Sequence, residues 1–227
     1  MGSANKGRLY GRAGFIGVVG AGIGTLFAGR SVQRVVDAAA SPLAPIANGI
    51  APTSGWRIYT VAPTMPTFDP ATWRLEVDGL VRQPYKLDYP QLRALPRVEQ
   101  VSTFHCVTGW TVNDVHWAGV RLQDILRRAQ PLPDASALRF VSAEYPYEDS
   151  LSIQQAMLPD VLLAYEMDGQ PLPRPHGAPV RLVIPDMYGY KNAKWVRRIE
   201  LTRSVERGYW EQNGYDVDAW VGHSNGL

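Results

Sequence analysis

What most limits the fold of this chain is how soon each of its regular segments is interrupted. Trp73-Arg74-Leu75-Glu76-Val77 alternates apolar and polar residues and stops at Asp78-Gly79. Val98 to Phe104, Leu138 to Ala143, Val161 to Met167 (ending at Asp168-Gly169), Val180 to Ile184 and Trp195 to Thr202 are further short runs bounded by breakers. Period-two alternation and short apolar runs predict strands. The helices are brief too: Tyr89 to Leu95 is stopped by Pro96. Leu122, Ile125 and Leu126 share one helical face that ends near Arg128, and Ser152 with Gln155 forms a capping box. Trp56 to Val61 alternates and reads either as a first strand or as a loop leading into the domain. No βαβ rhythm and no internal repeat occurs, so the class is α+β, mainly β, with short helices. The 21 Gly and 18 Pro suit such a loop-rich domain.

The first 55 residues differ in character. Lys6, Arg8 and Arg12 precede an uncharged run from Ala13 to Gly29, after which small residues lead to Pro42. That order is the signature of an export signal, and the run is also at the lower edge for an uncleaved membrane anchor. Arg12-Ala13-Gly14-Phe15-Ile16 resembles the core of a twin-arginine export signal with alanine at the second arginine. The expected organisation is therefore a signal or anchor over 1–40, a Pro- and Gly-rich linker over 41–55, and a folded domain over 56–227. The 23 basic and 21 acidic residues nearly cancel, and no basic stripe interleaves with aromatics, which argues against a nucleic-acid partner.

Two stretches can carry chemistry. The first is Ser102-Thr103-Phe104-His105-Cys106-Val107-Thr108-Gly109-Trp110, which holds the only cysteine and is followed, on this reading, by a helix start. A lone thiol forms no internal disulfide, so its role is packing or chemistry. The second is His176-Gly177-Ala178-Pro179-Val180-Arg181 with Tyr188-Gly189-Tyr190-Lys191-Asn192-Ala193-Lys194-Trp195. Arg181 interrupts an apolar strand in which no acid alternates with it, so a bound anion is a reasonable partner. Lys191 and Lys194 either add two point charges to that anion site or are solvated loop lysines. Asp114 and Glu148 are candidate proton carriers, and Tyr209-Trp210-Glu211 with Gly214-Tyr215 reads as a packing arm.

Taken together, these motifs resemble the molybdopterin-binding domain of the sulfite-oxidase fold family. The resemblance is carried by Cys106 with Trp110, the Trp117-x-Gly119-x-x-Leu122 helix start and Tyr145-Pro146-Tyr147. Ala164 through Pro173, His176 through Leu182, and Tyr188-Gly189-Tyr190-Lys191 complete it. It is nearest the bacterial branch that includes the methionine-sulfoxide reductase catalytic subunits.

The resemblance implies a sulfite-oxidase-like fold of mixed sheets and a molybdenum-molybdopterin cofactor. It implies Cys106 as the metal's thiolate and Tyr147 facing the substrate pocket. Tyr59, Thr60, His176, Arg181, Gly189, Tyr190, Lys191 and Lys194 would contact the cofactor. The implied reaction is oxygen-atom transfer on a small sulfoxide or other S- or N-oxide. Electrons would pass to or from a separate membrane or periplasmic haem partner, because the chain carries no Cys-x-x-Cys-His haem signature. An extracytoplasmic location and a monomeric catalytic domain are expected. Two alternatives stay open: a sulfite dehydrogenase-like enzyme, and a catalytically silent binding module. Sulfite is disfavoured because the early arginine run of sulfite oxidases is here Ile58-Tyr59-Thr60-Val61.

Overall fold

The computed structural model describes residues 55–225. The expected export segment, and the linker up to residue 54, lie outside the described residues. Ten strands and four short α-helices occur within them.

β1 (Leu75–Gly79) and β2 (Tyr85–Leu87) form a hairpin at one edge of the first sheet. β10 (Val196–Thr202) runs parallel to β1, and β5 (Ala137–Ser142) and β6 (Glu148–Ser152) complete the order β2-β1-β10-β5-β6. The second sheet is antiparallel throughout. β3 (Val98–Cys106) pairs with β4 (Trp110–Arg121), β4 with β7 (Leu162–Met167), and β7 with both β8 (Gln170–Pro171) and β9 (Arg181–Val183). One mixed and one antiparallel sheet with brief helices is the α+β, mainly β, class expected from the sequence.

The helices start where local chemistry directs. α1 (Tyr89–Arg93) is capped by Asp88, whose carboxylate accepts the Gln91 N–H at 2.8 Å, with Pro90 in its first turn. α2 (Leu122–Ala129) buries Leu122, Ile125, Leu126 and Ala129 on one stripe, each of the larger three contributing roughly 1.5–3 kcal/mol. It ends at Gln130 in the left-handed conformation, φ 55°. α3 (Ile153–Ala156) begins with the Ser152–Gln155 capping box read from the sequence. α4 (Tyr209–Gln212) lies in the expected packing arm.

One local expectation is corrected and one open alternative is decided. Trp110 opens the long strand β4 rather than leading into a helix, so Cys106 and Trp110 face each other across a hairpin turn. The helix comes later, at Leu122. Of the two readings of Trp56 to Val61, the loop is the one the structure shows: the Val61 and Ala62 N–H groups bond to the buried Glu144 carboxylate at 2.8 and 3.4 Å instead of to a sheet neighbour.

The main core is built from the first sheet, the helices and one face of the second sheet, around Leu75, Leu126, Phe140, Tyr165 and Ile199. A smaller cluster of Val115, Trp117, Leu162, Ala164, Leu172 and Val183 sits on the second sheet, with Trp56, Phe104 and Val112 packed against it. That smaller cluster underlies the site. No helix among the described residues is long and apolar enough to cross a membrane.

Candidate active site

Cys106 ends β3, and the turn from it to Gly109 is closed by the Gly109 N–H donating to the Cys106 carbonyl at 3.0 Å. Gly109 has φ 87°, a conformation costly for any side chain, and nothing would meet a Cβ there. Backbone geometry, not crowding, thus demands the glycine. The Cys106 Sγ lies 3.1 Å from the Thr108 hydroxyl. Burial pushes the Cys106 thiol up, opposed by the Thr108 hydroxyl and N–H and by the charge of exposed Arg57.

An aromatic wall surrounds this turn. Trp56 packs on Phe104 (ring centroids 4.8 Å apart) and edge-on to Trp110 (6.1 Å), while Tyr59 lies 6.5 Å from Trp110 and is half exposed. The Trp110 indole N–H is buried with no hydrogen-bond partner, a donor left without an acceptor.

Behind the wall, Arg181 begins β9 and is buried. Its guanidinium donates to the His176, Asn192 and Leu182 carbonyls at 3.2, 3.4 and 3.4 Å and lies over the rings of Phe104 (5.5 Å) and Trp117 (5.2 Å). No carboxylate pairs with it among the described residues. Burial lowers its pKa to about 10, opposed by Tyr147. A guanidinium carries five N–H donors, and three long bonds to neutral carbonyls leave its charge without a counter-ion.

His176 lies in a single helical turn, Arg174–His176, with its ring edge-on to Trp56 at 4.8 Å. Burial, and then the charges of Arg181 and Lys194, lower its pKa to about 3, so the imidazole is neutral near pH 7. Lys194 donates to the Tyr59 carbonyl at 2.6 Å, which ties the leading loop to the site. Its ammonium lies 4.1 Å from the Trp195 ring, and burial lowers its pKa to about 7. Gly177, φ 110°, lets this turn pass the Lys194 backbone, where a Cβ would come within 3.0 Å of Lys194 Cα.

The structure therefore brings Cys106, Tyr59, His176, Arg181 and Lys194 into one neighbourhood. Gly189 joins them: its N–H donates to the His105 carbonyl at 2.7 Å, and a Cβ on it would collide with the Phe104 ring. Thr60 is exposed beside Tyr59.

Tyr147, Tyr190 and Lys191 form a second group. The Tyr147 hydroxyl donates to the Tyr190 carbonyl, and its ring stacks on Tyr209 at 6.0 Å. Burial, and then the nearby Asp149 charge, raise the Tyr147 pKa well above that of an ordinary phenol. Tyr190 donates to the Asp216 carbonyl at 2.8 Å and lies 5.2 Å from the Tyr215 ring.

The expectation that the Lys191 ammonium adds a free charge to the anion site is corrected. It is buried and donates to Asp149 (2.8 Å), to the Ser150 carbonyl (3.0 Å) and to Glu211. Two buried carboxylates attract it more strongly than solvent or a distant anion can. Glu148, one of the candidate proton carriers, pairs with Arg139 at 3.7 Å. Asp114, the other, is exposed at φ 53°.

Sequence reasoning missed several participants. Glu144 holds the loop that opens the domain, and Asn192 staples the 188–192 loop by accepting the Ile184 N–H at 2.7 Å. Trp56 and Arg57 stand directly before Ile58-Tyr59-Thr60-Val61. An isolated acid directly before Tyr145-Pro146-Tyr147 was the available signal for Glu144.

Among the described residues no group of three or more His, Cys, Asp or Glu side chains gathers that could hold a metal. A metal held at Cys106 would therefore need its other donors from a bound group. An uncompensated buried guanidinium, an orphaned indole donor and a neutral histidine fit a polyanionic, ring-bearing cofactor better than they fit a dry core.

Comparison with known proteins gives the same direction. The family described as oxidoreductase molybdopterin binding domain matches residues 62–210. The chain is similar to an uncharacterised oxidoreductase of Bacillus subtilis, 39% identical over 154 residues, which are 67% of this chain and 77% of the relative. It is similar to a protein-methionine-sulfoxide reductase catalytic subunit of Gluconobacter oxydans, 37% identical over 152 residues, 60% of this chain and 48% of the relative. The chain spans about half the length of such reductases. Among solved structures, the sulfane dehydrogenase SoxCD of Paracoccus pantotrophus superposes with a TM-score of 0.59 at 25% identity, over 62% of this chain and 41% of that one.

Proposed function

The chain belongs to the family of molybdopterin-binding oxidoreductases, and from that premise we propose that Cys106 is the single protein ligand to its molybdenum and that it transfers oxygen atoms on a small sulfoxide or other S- or N-oxide. The observation that carries this reading is Arg181, buried at 2% exposure behind the Cys106 hairpin with no acid to answer it. A protein bears the cost of such a charge where an anion recovers it.

Arg181 and Lys194 would hold the pterin phosphate, the first by a planar fork and the second as a point charge. His176, neutral, would donate to or accept from the pterin ring. Tyr59, Thr60 and the backbone of Gly189 and Tyr190 would line the cofactor, and Lys191 would fix that loop through Asp149 and Glu211. When bound, the cofactor supplies the redox metal and its dithiolene sulfurs; the protein supplies orientation and electrostatics. A metal-bound thiol is deprotonated, so Cys106 would serve as thiolate. Tyr147, undissociated because it is buried, would hold a proton at its hydroxyl beside the pocket.

The aromatic wall of Trp56, Tyr59, Phe104 and Trp110 favours a neutral, polarisable oxide over a dianion. Arg57, within electrostatic reach of Cys106, is the one observation on the side of an anionic substrate such as sulfite. We place residues 1–40 as an export signal or anchor, residues 41–55 as a linker, and the domain on the extracytoplasmic side, exchanging electrons with a haem partner.

Metal and pterin analysis of protein from a molybdenum-replete host tests the reading, followed by turnover with dimethyl sulfoxide, methionine sulfoxide and sulfite. Stoichiometric molybdenum with sulfoxide turnover is expected. Folded protein devoid of molybdenum and pterin would rule the reading out.

A further inference from the structure

We propose that Thr108 is a positioning residue for the metal thiolate: its hydroxyl donates a hydrogen bond to the Cys106 sulfur and so sets how strongly that sulfur donates to molybdenum. The proposal rests on the reading of Cys106 as the metal's ligand, and it adds a residue whose effect is electronic rather than structural.

The geometry begins in the turn. Cys106 and Gly109 are joined by a 3.0 Å backbone hydrogen bond, which holds Thr108, two residues beyond the cysteine, within a tight reversal. There the Thr108 Oγ1 stands 3.1 Å from Sγ, inside the range for a hydrogen bond to sulfur. Thr is β-branched and stiff at χ1, so this placement costs less rotamer entropy than a longer polar side chain would.

In the thiol form either group can donate. A metal-bound sulfur has lost its proton and can only accept, so the hydroxyl becomes the donor by elimination. Hydrogen bonds to a metal-bound sulfur withdraw electron density from it, lower its donation, and raise the reduction potential of the centre. The same bond stabilises the filled sulfur orbital, which raises the energy of sulfur-to-metal charge-transfer absorption. Thr108 is exposed and belongs to neither hydrophobic cluster, so truncating it leaves the core intact.

The test compares the full-length loaded protein with Thr108→Val, which keeps the shape and removes the donor, and with Thr108→Ser, which keeps the donor. Molybdenum and pterin content are measured first. The metal's midpoint potential, by spectroelectrochemical titration, and the charge-transfer band are then read. The expected result is unchanged metal content, a lower potential and a band at longer wavelength in Thr108→Val, and a return toward wild type in Thr108→Ser. A loaded Thr108→Val protein with wild-type potential and band overturns the proposal. Should Thr108→Val fail to load, the Thr108→Ala and Thr108→Ser pair is read by the same criterion. Wild-type protein without molybdenum overturns the underlying reading and this proposal with it, an outcome distinct from a loaded variant that shows no shift.

Discussion

The Gly189 N–H donates to the His105 carbonyl at 2.7 Å, so the loop bearing Tyr190 and Lys191 is tied to the residue immediately before Cys106. The two stretches that looked separately interesting in the sequence are thus one structural unit. Phe104 packs beneath that junction, where a Cβ on residue 189 has no room.

Gly189→Ala is therefore expected to push the loop off the hairpin. Overpacking of this kind costs about 1–3 kcal/mol, and the displaced loop should retain less pterin. Thermal melting together with pterin content after gel filtration checks both. Unchanged melting and full pterin content would show that the Phe104 ring yields at no cost.

Arg181→Met should separate cofactor binding from folding. Without cofactor, removing an unanswered buried charge is expected to leave the melting temperature unchanged or raised. Cofactor retention should fall, because charge-assisted bonds worth roughly 1.5–3 kcal/mol are lost, on the order of tenfold to a hundredfold in affinity. Arg181→Lys should not restore it, since a single ammonium cannot reproduce the fork. Pterin occupancy and melting of the cofactor-free protein decide the matter.

The Lys191 cluster predicts a pH dependence of stability. One ammonium lies between two buried carboxylates, and burial raises the Asp149 pKa from 3.8 to about 7, with Lys191 opposing and Glu211 adding to the rise. A carboxyl whose pKa is raised by folding favours the fold in its protonated form. Its contribution is complete below about pH 4 and is lost as pH rises through about 7. Asp149→Asn should remove that decline, seen as a flatter profile of urea-unfolding free energy between pH 4 and 8. Lys191→Met should instead destabilise by about 3–5 kcal/mol, because it leaves both carboxylates without a cation.

The elements legible in the sequence are those whose signal is local. β7 and β10 are apolar or alternating and bounded by breakers, and the Ser152–Gln155 box marks its helix directly. β4 was not legible: Asn113-Asp114 breaks its alternation, and the structure absorbs the break with Asp114 at φ 53° and a register shift between Ser102 and Phe104 on the partner strand. β6 was hidden because Glu148-Asp149-Ser150 reads as a polar loop. It is a buried strand only because Lys191, 42 residues away from Asp149, arrives to meet the carboxylate. Of the site, Arg181 was legible as a charge out of place. Lys191 was misread because a lysine on a Gly-bearing loop has the same local pattern whether it faces an anion or a buried acid pair. Glu144 acts on backbone N–H groups 82 and 83 residues away, which no spacing rule discloses.

The account stands most directly on the sulfur of Cys106. X-ray absorption at the molybdenum edge, on loaded wild-type protein and on Cys106→Ser, measures whether that atom is bonded to the metal. Loss of one sulfur from the first coordination shell in the variant, with pterin retained, is the predicted result. An identical sulfur shell in the two proteins, or no molybdenum in either, would contradict it.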